Sequence, residues 1–128
     1  MSNDPYSDQV RALFDAPRHV GALDQGLSAS VVDQGLRIRL SATVSNGDIS
    51  ALRFQAWGCP HLIAAAEAFC SSYEQRPAAD LLDFSAAALI KSLPVPIEKT
   101  GRILVLEDAV RSLGCIVREA SIRDNKED

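Results

Sequence analysis

The stretch Gln55-Ala56-Trp57-Gly58-Cys59-Pro60-His61-Leu62-Ile63 decides the fold, because an alternating run meets Gly-Cys-Pro and turns at once into an alanine-rich helix. Pro60 suits the first helical position, where its missing N–H is not needed, so Cys59 is predicted at the N-cap. Gly58 lets the backbone turn sharply and should leave the thiol accessible. The unpaired N–H groups and the helix dipole favour the thiolate, which attacks sulfur or binds metal. The alternative is that Cys59 is a small apolar residue filling a gap at the sheet edge.

Three alternating runs precede this cysteine and predict a three-stranded antiparallel meander. Residues 36–44 and 49–57 alternate apolar with polar side chains, and Asn46-Gly47 between them is the strongest short hairpin signal. Residues 27–32, followed by the turn Asp33-Gln34-Gly35, predict the remaining strand. The sheet should therefore have one apolar face that needs covering.

Predicted helices before and after the meander supply that cover. Asp4-Pro5 is predicted to begin an N-terminal helix, because Asp caps a helix and Pro fits its first position. Downstream, a helix is predicted from Pro60 to Gln75, and a shorter helical piece over about residues 79–92. The fold class is therefore α+β.

The C-terminal part is predicted to contain a long amphipathic helix with Thr100 as its cap. Before it, Leu93, Pro94, Val95 and Pro96 should be extended, because two prolines leave few helical options. We predict a single domain over residues 1–128, with a charged flexible tail at about 122–128.

Composition excludes several classes of protein. Net charge is −4, the sequence pI is about 5.1, and no Lys/Arg block stands out, which argues against a nucleic-acid partner. No apolar run approaches the length of a membrane span, and the first ten residues do not resemble a secretion signal. Three cysteines at irregular spacing argue against a disulfide framework. We expect a cytoplasmic protein.

The remaining cysteines and histidines are given structural interpretations. Cys70 and Cys115 fall inside apolar helical stretches and are predicted to be inert buried thiols. His61 is predicted to be an exposed residue of the first helical turn, and a role as metal ligand, or as a group that lowers the thiol pKa, is the alternative. His19 is predicted to lie in a surface turn.

Several segments, in register along nearly the whole chain, match one family pattern. They are Tyr6-Ser7 with Val10, Pro17-Arg18-His19-Val20-Gly21, Gly58-Cys59 after Phe54-Gln55-Ala56-Trp57, Leu93-Pro94-Val95-Pro96 and Glu107-Asp108-Ala109. Together they resemble the iron–sulfur cluster scaffold proteins, IscU and the N-terminal domain of NifU.

The resemblance implies a ligand set that this chain does not complete. Such scaffolds hold an iron–sulfur cluster or zinc with three cysteines, assisted by an Asp and a His. The first of the family's three cysteines lies in a segment that corresponds to residues 31–35 here, and that segment has no cysteine. The third cysteine aligns with Gly101-Arg102. Of the three thiolate ligands, only Cys59 therefore remains. Asp33 and His61 are weak candidate ligands, and one thiolate with their help falls short of four ligands. Arg102 is either a source of positive charge near the thiol or a solvated residue.

By this resemblance the chain is a divergent scaffold-like protein of cluster assembly, with Cys59 as its one retained reactive thiol. One alternative is a sulfur-transfer protein that accepts a persulfide without binding iron, and another is a non-catalytic interaction module. All three are scaffolds or carriers rather than catalysts. The implied partners are a cysteine desulfurase and a chaperone that docks on Leu93, Pro94, Val95 and Pro96, a segment that is alternatively a rigid linker.

Overall fold

The computed structural model describes residues 7–33, 35–93 and 96–126. Within them lie three consecutive strands, four α-helices and two short 3₁₀ helices, so the α+β class is confirmed. In chain order, the elements are α1 Asp8–Asp15, β1 Leu27–Asp33, β2 Leu36–Ser45, β3 Asp48–Trp57, α2 Pro60–Tyr73, a 3₁₀ helix Ala78–Asp83, α3 Ala86–Ser92, a 3₁₀ turn Ile97–Lys99 and α4 Thr100–Lys126.

The strands form one antiparallel sheet in the order β1-β2-β3, as the predicted meander requires. Leu40 at the centre of β2 lies opposite Ala29 of β1 and Phe54 of β3, and all three are buried. Asn46 and Gly47 join β2 to β3 with φ values of 55° and 83°, the left-handed pair that Asn-Gly hairpins favour. The alternation of the sequence therefore becomes one apolar and one polar sheet face.

The core lies between the apolar sheet face and two helices. α4 packs against β1 and β2, whereas α2 packs against β3. Phe54, Leu62, Phe69, Leu106 and Leu113 are almost completely buried where these elements meet. Burying each such side chain stabilises the fold by about 1.5–3 kcal/mol, so this shared interface fixes where the ends of α2 and α4 lie.

The helix starts differ in detail from the sequence predictions. The cap of α1 is Ser7, whose hydroxyl accepts a hydrogen bond from the Val10 N–H at 3.1 Å, while Asp4-Pro5 lies outside the described residues. The predicted helical piece at 79–92 is two elements, because Ser85 is extended and caps α3 through the N–H of Ala87.

The cap predicted at Thr100 is wrong. Thr100 is already helical, and its hydroxyl donates to the carbonyl of Ile97 at 2.8 Å, because a 3₁₀ turn precedes α4. At its other end α4 continues to Lys126, so the segment predicted as a charged tail is helical over 122–126, and 127–128 lie outside the described residues. In the part of the chain that the structure describes, no helix is long and apolar enough to cross a membrane.

The margin of β3 opposite β2 is covered by the chain itself. Phe54 donates to the carbonyl of His19 and accepts from the N–H of Gly21, both at 2.8 Å. Further along, Ile49 exchanges backbone hydrogen bonds with Gln75 and Arg76. The loop after α1 and the segment after α2 therefore satisfy β3 backbone groups that would otherwise be open.

His19 lies in a polar cluster and not in a surface turn, so that prediction is wrong. Its side chain is only 14% exposed, with Nδ1 bonded to Glu67 and Nε2 bonded to Glu74 at 3.0 Å. Glu67 also accepts from the backbone N–H groups of Arg18 and His19 at 2.6 and 2.8 Å, and from the Ser71 hydroxyl at 3.0 Å. A buried carboxylate thus ties the loop after α1 to the middle of α2.

Both carboxylates of this cluster have lowered pKa values. Burial acts to raise the pKa of Glu67, but the hydrogen bonds from the side chain and backbone of His19 and from Ser71 outweigh it. Burial also acts to raise the pKa of Glu74, and the bonds from the Leu52 N–H, His19 and Arg53 outweigh it in the same way. The ionised forms are therefore the ones the fold stabilises.

We predict that Glu67→Gln destabilises the protein at pH 7 by about 1–3 kcal/mol, because charge-assisted hydrogen bonds to a buried group are lost. A lowered folded pKa adds stability above the unfolded value of about 4.3, and that stability disappears as the pH falls. The difference between wild type and variant should therefore shrink below about pH 4.5. Urea denaturation at a series of pH values measures it, with the exposed Glu119→Gln as control. Equal losses in the two variants, or a difference that persists in acid, would contradict the role of Glu67.

Candidate functional site

The junction of β3 and α2 is built around a glycine that no other residue can replace without strain. Gly58 has φ +107°, and a Cβ atom there would lie 2.8 Å from the carbonyl oxygen of Gly35 and 3.0 Å from Leu36 Cδ2. Both the backbone angle and the close approach exclude a side chain. The turn between β1 and β2 therefore lies directly against the residue that precedes Cys59.

Cys59 is the N-cap of α2, as predicted, with extended backbone angles and Pro60 at the first helical position. Its sulfur makes no standard capping hydrogen bond. It lies instead near the N–H groups of His61 and Leu62 and near the side chain of Arg102 at the start of α4. The thiol is therefore placed between one helix N-terminus and one cation.

The pKa of the Cys59 thiol is lowered. Burial is the largest single influence and acts to raise it, but the hydrogen bond from Arg102, the backbone N–H groups of Leu62 and His61 and the positive charge of Arg102 together outweigh burial. The structure therefore supports the interpretation of Arg102 as a source of positive charge near the thiol, and not the alternative of a solvated residue. The site favours the thiolate.

The prediction that the Cys59 thiol is accessible is wrong. Cys59 is only 3% exposed and belongs to the apolar core, because the tight turn at Gly58 brings the junction against Leu36. The predicted exposure of His61 is also wrong, since this residue is likewise 3% exposed. In this structure the sharp turn at Gly58 directs Cys59 and His61 toward the core.

The two other cysteines differ from each other. Cys70 is fully buried, and burial together with the charges of Glu67 and Glu74 raises the pKa of its thiol, as an inert cysteine requires. Cys115 is exposed, so the prediction that it is buried is wrong. The buried side chains of α4 on either side of Cys115 are Leu113 and Val117, and Cys115 lies halfway between them on the opposite side of the helix.

The candidate ligands do not form a metal centre. Asp33 is exposed at the end of β1, where it pairs with Leu36, and Gln34 lies outside the described residues. Among the side chains that the structure describes, no three of His, Cys, Asp or Glu are grouped closely enough to hold a metal ion. The segments in which the resemblance implies ligands do meet, through Gly35, Gly58 and Arg102, but they bring one thiol and one cation together.

The segment predicted to dock a partner is only partly described. Leu93 is buried in the core and Pro96 is half-buried, while Pro94 and Val95 lie outside the described residues. Leu93 therefore anchors the segment to the fold. Ile97, immediately after it, is the exposed apolar side chain.

A cavity of about 280 Å³ lies at the other end of the fold from Cys59. Residues from the β2–β3 turn and the last turns of α4 line it, among them Val44, Gly47, Val117 and Ile122. Its charged lining residue is Arg118 and its hydroxyl is that of Ser121, and no thiol, imidazole or carboxylate stands among its described lining residues to act with them. The junction of β3 and α2 is therefore the better candidate site.

Sequence reasoning missed the cluster around His19, although one signal for it was present. Glu67 interrupts an apolar helix face, and Glu67, Ser71 and Glu74 follow at helical spacing on one side of α2. A buried carboxylate needs partners, and such a pattern predicts donors nearby. Glu67 lies eight residues beyond Cys59, or about 12 Å along the helix, so the cluster stabilises the site's scaffold and is separate from the thiol.

Comparison with known proteins gives a consistent result. The model of one protein family, the NifU-like N terminal domain, matches residues 5–113. The chain is 29% identical over 112 residues to the iron–sulfur cluster assembly protein IscU of Plasmodium falciparum, covering 83% of this chain and 69% of the relative. It is 23% identical over 128 residues to iron–sulfur cluster assembly protein 1 of Arabidopsis thaliana, covering 94% and 77%.

A solved structure supports the fold. The N-terminal NifU-like protein from Brucella abortus superposes with a TM-score of 0.71 at 14% identity, over 88% of this chain and 94% of that one. The suspected resemblance to the scaffold family is confirmed, since the family match spans most of the chain. The chain belongs to the NifU-like N-terminal domain family.

Proposed function

We propose that this protein acts in iron–sulfur cluster assembly as a divergent scaffold-like member, with Cys59 as its one reactive thiol. We further propose that the chemistry at Cys59 is the acceptance and release of sulfur, without a cluster held by one chain alone. The observation that carries the proposal is the pairing of Cys59 with Arg102, at a position where the family resemblance implies a further ligand. A cation there stabilises a thiolate and repels a metal ion.

The proposed reaction is a thiol–persulfide exchange. The Cys59 thiolate attacks the outer sulfur of a persulfide on a donor cysteine, a new S–S bond forms at Cys59, and the donor's S–S bond breaks. The donor leaves as a thiolate that takes up a proton, so sulfur is transferred with no net oxidation. A cysteine desulfurase is the proposed donor, because it generates such a persulfide from free cysteine.

Burial of Cys59 sets a condition on this reaction. At 3% exposure, the sulfur is not reached by a donor until the junction opens locally. Arg102 is half-buried and belongs to the first turn of α4, and displacement of that turn is the proposed opening motion. The same burial favours a second function, a non-catalytic interaction module in which Cys59 only fills the core.

The proposal also names a docking partner and a cellular compartment. A chaperone is proposed to dock at Leu93–Pro96, with Ile97, the residue after this segment, as the exposed apolar contact. A reducing cytoplasm is proposed because Cys59, Cys70 and Cys115 are all free thiols. In each of these roles the protein is a carrier or scaffold and not a catalyst.

Sulfur transfer predicts a single modified residue. Incubation with a cysteine desulfurase and free cysteine should add one sulfur atom at Cys59, detected by peptide mass spectrometry. Cys115→Ser should behave like wild type, whereas Cys59→Ser should gain none. Sulfur on the exposed Cys115 in place of Cys59 would overturn the proposal, and no adduct on any cysteine would favour the interaction module.

The pH dependence of alkylation tests the Cys59–Arg102 pair directly. The midpoint for iodoacetamide labelling of Cys59 in the native protein should lie below the usual thiol value of about 8.5. Arg102→Gln should raise that midpoint, whereas Arg118→Gln, an exposed change on the same helix, should leave it unchanged. Cys70 should stay unlabelled until the protein unfolds, because burial raises its pKa and blocks access. A midpoint that Arg102→Gln does not move would remove the basis for a stabilised thiolate.

Metal content tests the claim about the ligand set. After anaerobic incubation with iron and sulfide, or with zinc, the desalted protein should retain less than one metal ion per chain, because one thiolate cannot supply four ligands. Elemental analysis and absorption spectra of wild type and Cys59→Ser give the answer. One zinc ion per chain, or two or more iron ions per chain, that disappear in Cys59→Ser would show a complete site, and half of either amount would show a site shared between two chains.

A further inference from the structure

The polar face of the sheet, at the end next to Cys59, presents two rows of side chains. Each row crosses all three strands, because residues that pair in an antiparallel sheet share a face. One row is Val32, Arg37 and Trp57, and the other is Ser30, Arg39 and Gln55. We call these six residues the basic–aromatic face.

The basic–aromatic face is open in the described structure. Val32 is 69% exposed and Trp57 49% exposed, and both arginines are exposed as well. The opposite face carries Leu36 and the other buried side chains, and that is where α2 and α4 pack. Large apolar side chains therefore remain in water beside two cations, as at an interface that lacks its partner.

The charge of this face is opposite to that of the whole protein. The chain has net charge −4, yet two of the six residues are arginines and none is acidic. The nearest carboxylate along the strands is Asp33, which belongs to the alternate face of β1 at its end. A local positive field on an acidic protein steers an acidic partner to this place.

The geometry of Arg37 suits recognition of a carboxylate. Its guanidinium carbon lies over the Trp57 ring, 5.4 Å from the ring centre, and this cation–π contact uses none of the N–H groups that can make two parallel hydrogen bonds to a carboxylate. Arg39 donates to the Ser28 hydroxyl at 3.4 Å, a long bond that leaves most of its donors for a ligand. Arginine and tryptophan are also the residues on which interface energy concentrates.

We propose that the basic–aromatic face docks an extended acidic segment of a partner protein. Arg37 and Arg39 are two residues apart on one strand, or about 7 Å, which is the spacing of alternate carboxylates on an extended peptide. Val32 and Trp57 supply apolar contacts on either side of Arg37. Two cations on a protein of net negative charge are too few for nucleic acid, whose binding depends on many phosphate contacts.

The basic–aromatic face lies beside the junction of β3 and α2, so a partner bound there is close to Cys59 whether or not sulfur transfer takes place. Trp57 precedes Cys59 by two residues, across the fixed turn at Gly58. A partner held on the basic–aromatic face therefore lies beside the junction, whatever reaction takes place there.

The test uses a synthetic peptide of alternating Glu and Ser with one central Leu, and a matched peptide with Gln for Glu. In ¹⁵N NMR titrations the Glu peptide should shift amide signals of residues 30–39 and 55–57, and should bind less tightly at higher salt. Arg37→Glu with Arg39→Glu should weaken binding about tenfold or more. The control, Lys91→Glu with Arg118→Glu, changes the net charge equally at exposed positions elsewhere and should leave binding unchanged.

Circular dichroism shows whether the double glutamate variant folds. If it does not, the milder pair Arg37→Gln with Arg39→Gln is used in its place. Equal binding of the Gln peptide, equal loss in the control variant or shifts confined to other residues would overturn the proposal. Tighter binding of single-stranded DNA or of anionic phosphatidylserine vesicles at the same residues would also overturn it, because the face would then recognise polyanions in general.

Discussion

A backbone contact at Gly58 underlies the arrangement of the site. A glycine with φ +107° packs against the Gly35 carbonyl, so the β1–β2 turn and the start of α2 lie against each other with no side chain between them. Any Cβ would have to push the turn away, and the residue after it would then move as well. The position of Cys59 relative to the sheet, and hence its distance from α4, follows from this one contact.

Two opposing influences act on the thiol that this contact positions. Burial disfavours the charged form, while Arg102 and the first N–H groups of α2 favour it, and the second set prevails. A sulfur whose thiolate is favoured and which is also covered is chemically prepared but sterically protected. Such a thiol is shielded from indiscriminate oxidation, since both reactivity and access are needed for that.

The sequence was informative wherever the signal was local. The hairpin at Asn46-Gly47, the strand alternation and the N-cap position of Cys59 each depend on a few neighbouring residues, and each is as predicted. Errors arose where burial depends on distant segments. Cys115 is exposed because it lies on the side of α4 opposite the buried Leu113 and Val117, and His61 faces inward because the sharp turn at Gly58 directs the start of α2 toward the core. The helical spacing of Leu113 and Val117 already places Cys115 on the opposite side of α4, whereas no local pattern contains the inward orientation of His61.

The covered margin of β3 has a consequence for how this sheet can grow. Residues 19–21 and 75–77 occupy hydrogen-bonding positions along β3, so a strand at the edge of the sheet is paired on both sides like an internal one. In the described part of the chain, unpaired strand edge is therefore concentrated at β1. Strand-by-strand association with any other chain is directed to that side, where alternating serines and the exposed Asp33 make a poor template for aggregation.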